Sequence, residues 1–469
     1  MDDFIFPFSN EEPKYKQIYQ QLKTLIEQGS LKSNDCLPSI RRLAESLQVS
    51  RNTTLTAYEQ LVAEGYIRGE GRKGYFVNVL EQVFLQEEDL PAYMKKAKEK
   101  LPAVKIDFRA GAVDQAHFPL KTWRKFANEA LHLDESFVYG DPFGEPLLKE
   151  QLVQYLLQAR GVKSEADDII IGSGTQQMLL YLGLILKRDF ASVIVEDPGY
   201  SGARQSFQLN DFELEALPVL EHGAQLQLLA QMRSRLLYVT PSHHFPYGVT
   251  MSIQQRQTII QWAQEVDGYI IEDDYDSEFR YAQQPFPALA SIDHARVIYI
   301  GTFSKSFLPG IRLSYMVLPK TLTHRYKEKF MQFEHNASSL HQLTMAAFME
   351  QGEWTRHIKR MRIIYKHKMN YLVKLLKQQF GHLITVLGEH SGLYVLVKVH
   401  VHQTEQQLIQ CAAQYGVNVY PTSPYFLQQS TTEPILQLGF SKLQLTDIQQ
   451  GVHLLGKAWS LASISKSCE

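Results

Sequence analysis

The sequence predicts an α/β protein made of two unequal units. At 469 residues, the chain is longer than one hydrophobic core normally organises. Its first eighty residues are typical of three helices followed by two short strands, whereas the later sequence alternates apolar strands with glycine turns and helices. We therefore expect a small α+β domain over residues 1–79, a linker over 80–105 and a large α/β domain over 106–469.

The N-terminal unit begins with an amphipathic helix pattern between Tyr15 and Leu31. Its apolar positions fall on one face, namely Ile18, Leu22, Leu25 and Ile26. A short helix that Ser39 can cap follows, and a third helix begins near Ser50 after a tight turn. Two short strands between Gly65 and Val77 then enclose a basic, glycine-rich tip. This order describes a winged helix-turn-helix.

Such a domain places the second helix of the pair in the major groove of DNA, with its N-terminal residues near base edges and phosphates. Arginine and asparagine can read guanine and adenine edges, while hydroxyl groups position phosphates. The sequence leaves open which side chains read bases. The candidates are Ser50, Arg51, Asn52, Thr53 and Thr54.

This segment resembles the GntR family of bacterial transcription factors, whose pattern joins a serine–x–arginine–x–leucine–alanine run to a serine–arginine helix start and a glycine-rich wing. The residues outside the third helix that fall on those positions are Ser39, Arg41, Arg68, Lys73 and Gly74. The resemblance implies double-stranded DNA as a partner. The charge of this segment agrees with a DNA partner: Pro13–Val79 contains ten Lys or Arg and six Asp or Glu, whereas the whole chain contains 48 and 50. A small helical protein-interaction domain is the alternative.

The boundary between the units carries many charges. An acidic run at Glu87, Glu88 and Asp89 is followed by several lysines and by prolines at 91 and 102. This composition favours an extended or partly helical tether.

Lys305 is the residue of the larger unit with the clearest chemistry. It follows the apolar run 297–300 in the stretch Gly301-Thr302-Phe303-Ser304-Lys305. An amine at the end of a buried strand, flanked by hydroxyl groups and followed by Arg312, can hold pyridoxal phosphate as a Schiff base. Alone, the pattern is also that of a solvated lysine after a strand.

Acids and a tyrosine follow another apolar strand, in the stretch Glu272-Asp273-Asp274-Tyr275. A carboxylate keeps the pyridine nitrogen of such a cofactor protonated, and its phenolic oxygen needs a hydrogen-bond donor. Asp273 and Tyr275, two residues apart, would lie on one face of a continued strand. Asp274 is the rival to Asp273.

A phosphate turn is predicted after the strand 169–171. The turn Ser173, Gly174, Thr175 and Gln176 precedes a helical pattern, so that its backbone amides and the helix dipole can bind a phosphate. Tyr200, after the strand 192–195, can stack on a planar ring.

From about Ile106 to its end, the chain resembles fold-type I pyridoxal-phosphate aminotransferases, because these motifs occur in that family's order. The resemblance implies a mostly parallel sheet with helices, a smaller C-terminal α+β domain, and pyridoxal 5'-phosphate as cofactor. Lys305 would form the internal aldimine, Asp273 would pair with the pyridine nitrogen, and Tyr275 would donate to the phenolic oxygen. The ring would stack on Tyr200, and Thr302 and Arg312 would complete the phosphate clamp.

One departure concerns the substrate carboxylate, which aminotransferases commonly hold with an arginine of the C-terminal domain. The last arginine of this chain is Arg362. Efficient turnover of ordinary amino acids is therefore not expected. Arg204 and His243 are the candidates for contacting a ligand instead.

The two resemblances together describe the MocR/GabR-type regulators. They imply a bacterial transcription regulator, sometimes an activator, that senses an amine, amino acid or vitamer through the aldimine at Lys305. They also imply a head-to-tail homodimer on paired DNA half-sites. Three cysteines without metal or disulfide spacing, and no signal peptide or long apolar span, predict a cytoplasmic protein without a membrane partner. The alternative is an active aminotransferase with an accessory DNA-binding head.

Overall fold

A computed structural model of the protein describes Phe8 and residues 12–79, 105–281, 286–334, 337–427 and 433–464. The chain divides into two compact units, Met1–Glu99 and Lys100–Glu469. Apart from Lys105, the predicted linker lies outside the described residues. No described helix is long and apolar enough to cross a membrane.

The small unit, called the head below, packs three helices against a three-stranded antiparallel sheet of order β1-β3-β2. The helices are α1 (Lys14–Glu27), α2 (Ile40–Ser46) and α3 (Arg51–Ala63), and the strands are β1 (Cys36–Leu37), β2 (Ile67–Gly69) and β3 (Tyr75–Val77). Ser39 and Ser50 cap α2 and α3 by accepting hydrogen bonds from the Arg42 and Thr53 amides. The predicted winged helix-turn-helix is confirmed. The first helix ends before the predicted Leu31, where Gly29 takes a φ of +74°.

The large unit, called the body below, is built on an eight-stranded sheet of order β5-β12-β11-β10-β9-β6-β7-β8. All neighbours pair in parallel except around β12 and at β8, so the prediction of a mostly parallel sheet is confirmed. The strands are β5 (Ile169–Gly172), β6 (Ser192–Asp197), β7 (Glu213–Leu220), β8 (Gly223–Ala224), β9 (Leu236–Val239), β10 (Tyr269–Asp274), β11 (Val297–Thr302) and β12 (Ser314–Val317).

Helices cover both faces of this sheet, because its central strands are apolar on both sides and must be buried on both. The two largest clusters of buried apolar side chains lie on opposite faces of the sheet. The consecutive β10 residues Ile270 and Ile271 accordingly belong to different clusters. The helices from residue 120 to 350 are α4 (Leu120–Ala130), α5 (Pro146–Arg160), α6 (Thr175–Leu186), α7 (Ser201–Gln208), α8 (Ile253–Glu265), α9 (Lys320–Phe330) and α10 (Ser339–Glu350).

The C-terminal part forms a smaller α+β layer, as predicted. Its four-stranded antiparallel sheet has the order β13-β14-β17-β16, and a two-stranded parallel pair joins it to the start of the body. The elements are α11 (Glu353–Phe380), β13 (Ile384–Leu387), β14 (Tyr394–Val399), α12 (Glu405–Gln414), β15 (Val417–Asn418), β16 (Tyr420–Pro421), β17 (Ile435–Gly439) and α13 (Leu445–Ile464), with β4 (Ile106–Asp107) as the partner of β15.

A buried ion pair fixes the long helix α11 to the rest of the body. The Lys368 ammonium lies 2.7 Å from the Asp114 carboxylate and donates to the Ser441 carbonyl at 2.9 Å. Asp114 also accepts from the Ala116 and His117 amides. The ion pair thereby joins α11 to the segment that leads away from Gly111.

Lys368→Met is expected to lower the free energy of unfolding of the body by about 3–5 kcal/mol, because it leaves a buried carboxylate without its cation. The matched control is Lys366→Met on the exposed face of the same helix, for which about 0.5 kcal/mol or less is expected. Denaturant titration of both variants measures the difference. Equal effects would contradict a stabilising role of the pair.

Candidate cofactor and DNA sites

A cavity of about 430 Å³ lies at the carboxyl ends of the parallel strands of the body. This edge is where α/β sheets usually bind ligands, because the loops that leave parallel strands converge there. The cavity brings together nine of the ten residues predicted to bind the cofactor: Gly174, Thr175, Gln176, Tyr200, Asp273, Tyr275, Thr302, Lys305 and Arg312. Ser173 lies outside its lining, and its amide donates to Gln177 at 3.1 Å.

Lys305 stands three residues after the end of β11, half-buried in the cavity wall. Burial lowers the pKa of its ammonium, while the nearby Asp276 and Asp273 carboxylates act in the opposite direction. A larger fraction of this amine is therefore neutral, and nucleophilic, than in an exposed lysine. Gly111 (φ +85°) leaves the space for it, since a Cβ there would collide with Lys305 Nζ.

Asp273 and Asp274 face opposite sides of β10. Asp273 lines the cavity; its Oδ2 accepts from Tyr238 at 2.6 Å, while Oδ1 has no hydrogen-bond partner among the described residues. Burial raises the pKa of Asp273 to about 7. Asp274 is instead paired with Arg160 at 2.7 Å and accepts from Tyr299. The geometry therefore favours Asp273 as the partner of a ring nitrogen.

The Tyr275 hydroxyl is held beside a histidine–aspartate pair. His243 Nδ1 lies 2.8 Å from the Asp276 carboxylate and 3.1 Å from the Tyr275 oxygen. A nitrogen that donates its hydrogen to Asp276 has no lone pair left to accept from Tyr275. The tyrosine hydrogen is then left for Tyr394, at 3.5 Å, or for a group in the cavity. His243 itself does not line the cavity, so the structure does not bring this predicted ligand contact to the site.

The part of the cavity wall formed by Gly174 and Arg312 has the features of an anion site. Helix α6 begins at Thr175, and Gly174 offers no side-chain cap, so first-turn amides are left for a ligand. Arg312 lies so close to Gly174 that a Cβ there would meet its guanidinium. The Thr302 hydroxyl accepts from Ser314 at 2.8 Å and lies beside Ser304.

Aromatic side chains form the remaining walls. Tyr200, at the start of α7, meets Phe245 edge-on with ring centroids 6.1 Å apart, and Phe245 meets Tyr425 at 4.6 Å. Tyr425 and Gln437 come from the C-terminal layer, so the cavity is closed by both parts of the body. Gln437 is 2% exposed, and its Nε2 has no hydrogen-bond partner among the described residues.

Arg204, predicted to contact a ligand, lies behind this wall. Its guanidinium donates to the carbonyls of Pro424 and Tyr425, both at 2.7 Å, and lies 4.0 Å from Asp197. With its donors directed at the backbone of the C-terminal layer, Arg204 supports the loop that carries Tyr425 and does not line the cavity.

The cavity fits pyridoxal phosphate in three respects. A buried carboxylate oxygen without a partner suits a protonated ring nitrogen, a half-buried amine suits an aldehyde, and a free helix N-terminus with an arginine suits a phosphate. All three kinds of group line the same cavity.

In the head, some of the side chains predicted to contact DNA are exposed, and others are buried or hydrogen-bonded within the domain. Arg51 and Asn52 are exposed at the start of α3, with Thr53 half-buried beside them. Arg41 is exposed and paired with Glu45. These positions suit a helix entering the major groove.

Two of the predicted DNA contacts differ from expectation. Thr54 is 0% exposed, so the structure does not present its hydroxyl group to DNA as the sequence predicts. Arg68 is half-buried and donates to Asn34, Asn78 and the Val77 carbonyl, which ties the wing to the start of β1. Of the predicted wing residues, Lys73 stays exposed at the tip, where Gly74 takes a φ of +109°.

Sequence reasoning missed several residues of the cavity. Asp276, Tyr394 and Gln437 line it but follow no motif used above. Asp276 lies one residue after Tyr275, at the same strand end, and position alone could have indicated it. Nothing in the local sequence indicates Tyr394 or Gln437, which reach the site through the fold of the C-terminal layer.

Comparison with known proteins identifies both units. The family described as aminotransferase class I and II matches residues 103–436, and the bacterial regulatory proteins of the gntR family match residues 14–77. The uncharacterized HTH-type transcriptional regulator YdeL of Bacillus subtilis (strain 168) is 37% identical over 466 residues, covering 97% of this chain and 100% of the relative. The probable rhizopine catabolism regulatory protein MocR of Rhizobium meliloti is 29% identical, covering 95% of this chain and 94% of the relative.

Among solved structures, an archaeal alanine:glyoxylate aminotransferase superposes with a TM-score of 0.71 at 23% identity. It covers 79% of this chain and 93% of its own. This likeness shows that the body has the aminotransferase fold.

Asp273→Asn and Asp274→Asn are expected to have different effects. Asp273→Asn should weaken pyridoxal phosphate binding and change the absorbance of the bound cofactor, because the amide cannot hold the ring nitrogen protonated. Asp274→Asn should instead lower the stability of the body, by about 3–5 kcal/mol, because Arg160 is left buried without its anion. Cofactor titration and denaturant unfolding of both variants separate the effects, and the reverse assignment would show that Asp274 is the cofactor partner.

Pyridoxal phosphate is predicted to attach to Lys305, at a rate that rises with pH because only the neutral amine attacks an aldehyde. The midpoint should lie below the ordinary lysine value of 10.5, since burial lowers this pKa. Asp276→Asn should lower the midpoint further, because the carboxylate favours the ammonium form. Stopped-flow absorbance after mixing apoprotein with cofactor measures the rate, and a midpoint at or above 10.5 would contradict the expectation.

Proposed function

Because this chain belongs to the class I and II aminotransferase family and has the two-part architecture of the MocR/GabR-type regulators, we propose that it senses an amine in its cofactor cavity and converts binding into a change in DNA binding. Its head is a gntR-type DNA-binding domain, and the cofactor of its body family is pyridoxal phosphate. The observation that carries the proposal is the presence, in one chain, of a DNA-reading head and a cavity poorly equipped for amino-acid turnover.

Pyridoxal phosphate supplies an aldehyde that condenses with amines and a pyridine ring that withdraws electrons. In this chain, Lys305 would offer the amine that holds the aldehyde carbon. Asp273 would keep the ring nitrogen protonated, and the Tyr275 hydroxyl would donate to the phenolic oxygen. Tyr200 would pack against the ring.

The phosphate would be held where α6 begins. The first-turn amides of α6 would donate to its oxygens, beside the Arg312 guanidinium and the hydroxyl groups of Thr302 and Ser304, which line the same cavity. Charge and geometry both favour an anion here.

The cavity lacks a second arginine. Among the described residues that line it, Arg312 is the single arginine, and its guanidinium lies beside Gly174 at the start of α6. The sequence after Arg362 contains no arginine at all. A two-pronged hold on a substrate carboxylate is therefore absent from the C-terminal layer, which supports sensing over turnover.

Gln437 lines the cavity from the C-terminal layer and carries no charge. Its unpartnered Nε2 offers a neutral donor. The proposed effector is therefore a primary amine that carries a hydrogen-bond acceptor within reach of Gln437.

The body exposes an apolar segment that supports the proposed homodimer. Phe137, Val138 and Tyr139 are 77%, 64% and 90% exposed, with Leu131 and Leu133 nearby. Contiguous exposed apolar residues of this kind mark protein interfaces, and two-fold pairing would present two heads to paired half-sites.

Arg51→Ala is expected to weaken binding of the full chain to its operator by about 1–3 kcal/mol if Arg51 reads a base. The operator is first selected from a random-sequence duplex pool with the wild-type protein. Arg233→Ala, an exposed arginine of the body, is the control and should leave the affinity unchanged. Fluorescence anisotropy measures both, and unchanged affinity in Arg51→Ala would remove this side chain from the interface.

Sensing is tested by adding a panel of amines to the cofactor-loaded protein while DNA affinity and product formation are both followed. An effective amine should change DNA affinity without sustained product formation, and Lys305→Ala should lose the borohydride-fixed label. Rapid turnover without specific DNA affinity would establish the aminotransferase alternative.

A further inference from the structure

We propose that the exposed face of helix α11 is a second DNA-contacting surface, which binds the phosphate backbone beyond the site read by the head. This inference rests on the proposed function, because it requires a protein that binds DNA. It concerns the body, whereas the DNA contacts proposed so far lie in the head.

The charges of α11 are sorted by face. The helix has 28 residues, and its buried side chains include Trp354, Ile358, Met361 and Leu372, which pack into the body core. At 3.6 residues per turn, the exposed cations fall within about a third of the circumference. They are Arg356, Lys359, Arg360, Lys366, Lys374 and Lys377.

Most of this positive charge is not neutralised within the chain. Glu353 is the single acidic residue of the helix, and it pairs with Arg356; Lys377 pairs with Glu389. Lys359, Lys366 and Lys374 have no ion-pair partner among the described residues. Outside Pro13–Val79, the chain carries 38 Lys and Arg against 44 Asp and Glu, so the face stands out against an acidic remainder.

The composition of this face suits a polyanion better than a protein surface. Its central apolar residue is Ile363, which is 72% exposed, and no Phe, Tyr or Trp side chain is fully exposed between the cations. Protein interfaces are depleted in lysine and enriched in aromatic residues. Lysines in a row instead match a regular line of phosphates, to which each binds as a point charge.

The dimensions also agree. From Arg356 to Lys377 the helix extends about 32 Å at a rise of about 1.5 Å per residue, close to the roughly 34 Å of one DNA turn. Because head and body belong to one chain, DNA held by the head is present near the body at a raised effective concentration. Even weak phosphate contacts then add to the affinity.

The test is a triple variant of the full chain, Lys359→Gln, Lys366→Gln and Lys374→Gln. The matched control removes three exposed cations that lie elsewhere on the body, with Lys163→Gln, Arg188→Gln and Lys329→Gln, and so has the same net charge. Binding to short and long mixed-sequence duplexes and to the selected operator is measured by anisotropy over a range of salt concentrations. Circular dichroism confirms that both variants fold.

The α11 variant should lose about 0.9 from the slope of log K against log salt for each phosphate contact removed, or about 2–3 in all. Its deficit should be larger on long duplexes than on short ones, while its preference for the operator over mixed sequence remains. The control variant should keep the wild-type slope.

Equal slopes for the two variants would overturn the inference, and so would an α11 variant with altered sedimentation but an unchanged salt slope, which would assign the face to a second copy of this chain. The two proposals fail separately. If the α11 variant keeps the wild-type salt slope while Arg51→Ala still weakens DNA binding, only the α11 surface is refuted. If the wild-type protein binds no DNA, both proposals are refuted.

Discussion

Strand β10 buries three consecutive carboxylates at the centre of the body sheet, and the surrounding structure is arranged to tolerate them. Glu272, Asp273 and Asp274 are at most 4% exposed. A buried carboxylate is costly unless it is paired or loses its charge. Glu272 lies 3.8 Å from Arg256, and Asp274 lies 2.7 Å from Arg160. Each arginine also donates to backbone carbonyls of neighbouring loops, so charge compensation and loop placement are one interaction network.

The alternation of side chains along β10 gives these acids different roles. Successive residues of a strand point to opposite faces. Glu272 and Asp274 therefore turn toward the two arginines, while Asp273 turns toward the cavity, where it accepts from Tyr238 and keeps one oxygen without a partner. Burial raises the pKa of Asp273 to about 7. Unlike Glu272 and Asp274, Asp273 is not paired with a buried arginine. A protonated ring nitrogen in the cavity would be the missing partner.

The sequence predicts those parts of the fold and site that depend on local order. Strand-end motifs indicated Lys305, Asp273 and the turn before α6, because the carboxyl ends of parallel strands meet at one edge. Periodicity also accounts for the burial of the Thr54 side chain, since the buried Ala57, Tyr58 and Leu61 lie three, four and seven positions later on the same helix face. Arg204 could not be placed in this way, because its partners are more than two hundred residues away.

These long-range bonds show how the cavity is coupled to the C-terminal layer. Arg204 donates to the carbonyls of Pro424 and Tyr425, the Gly199 amide donates to Tyr425, and the Leu427 amide donates to Asp197. The loop that carries Tyr425 is thus hydrogen-bonded directly to the segment after β6 that carries Tyr200. A ligand shifts an equilibrium only by its difference in affinity for two states. A ligand bound between Tyr200 and Tyr425 would contact both the segment after β6 and the C-terminal layer. Its binding free energy would therefore depend on how closely the C-terminal layer approaches the sheet. Among the described residues that line the cavity, Arg312 is the single arginine. Under the proposed sensing function, the dependence on the approach of the C-terminal layer would let a ligand control the protein without turnover.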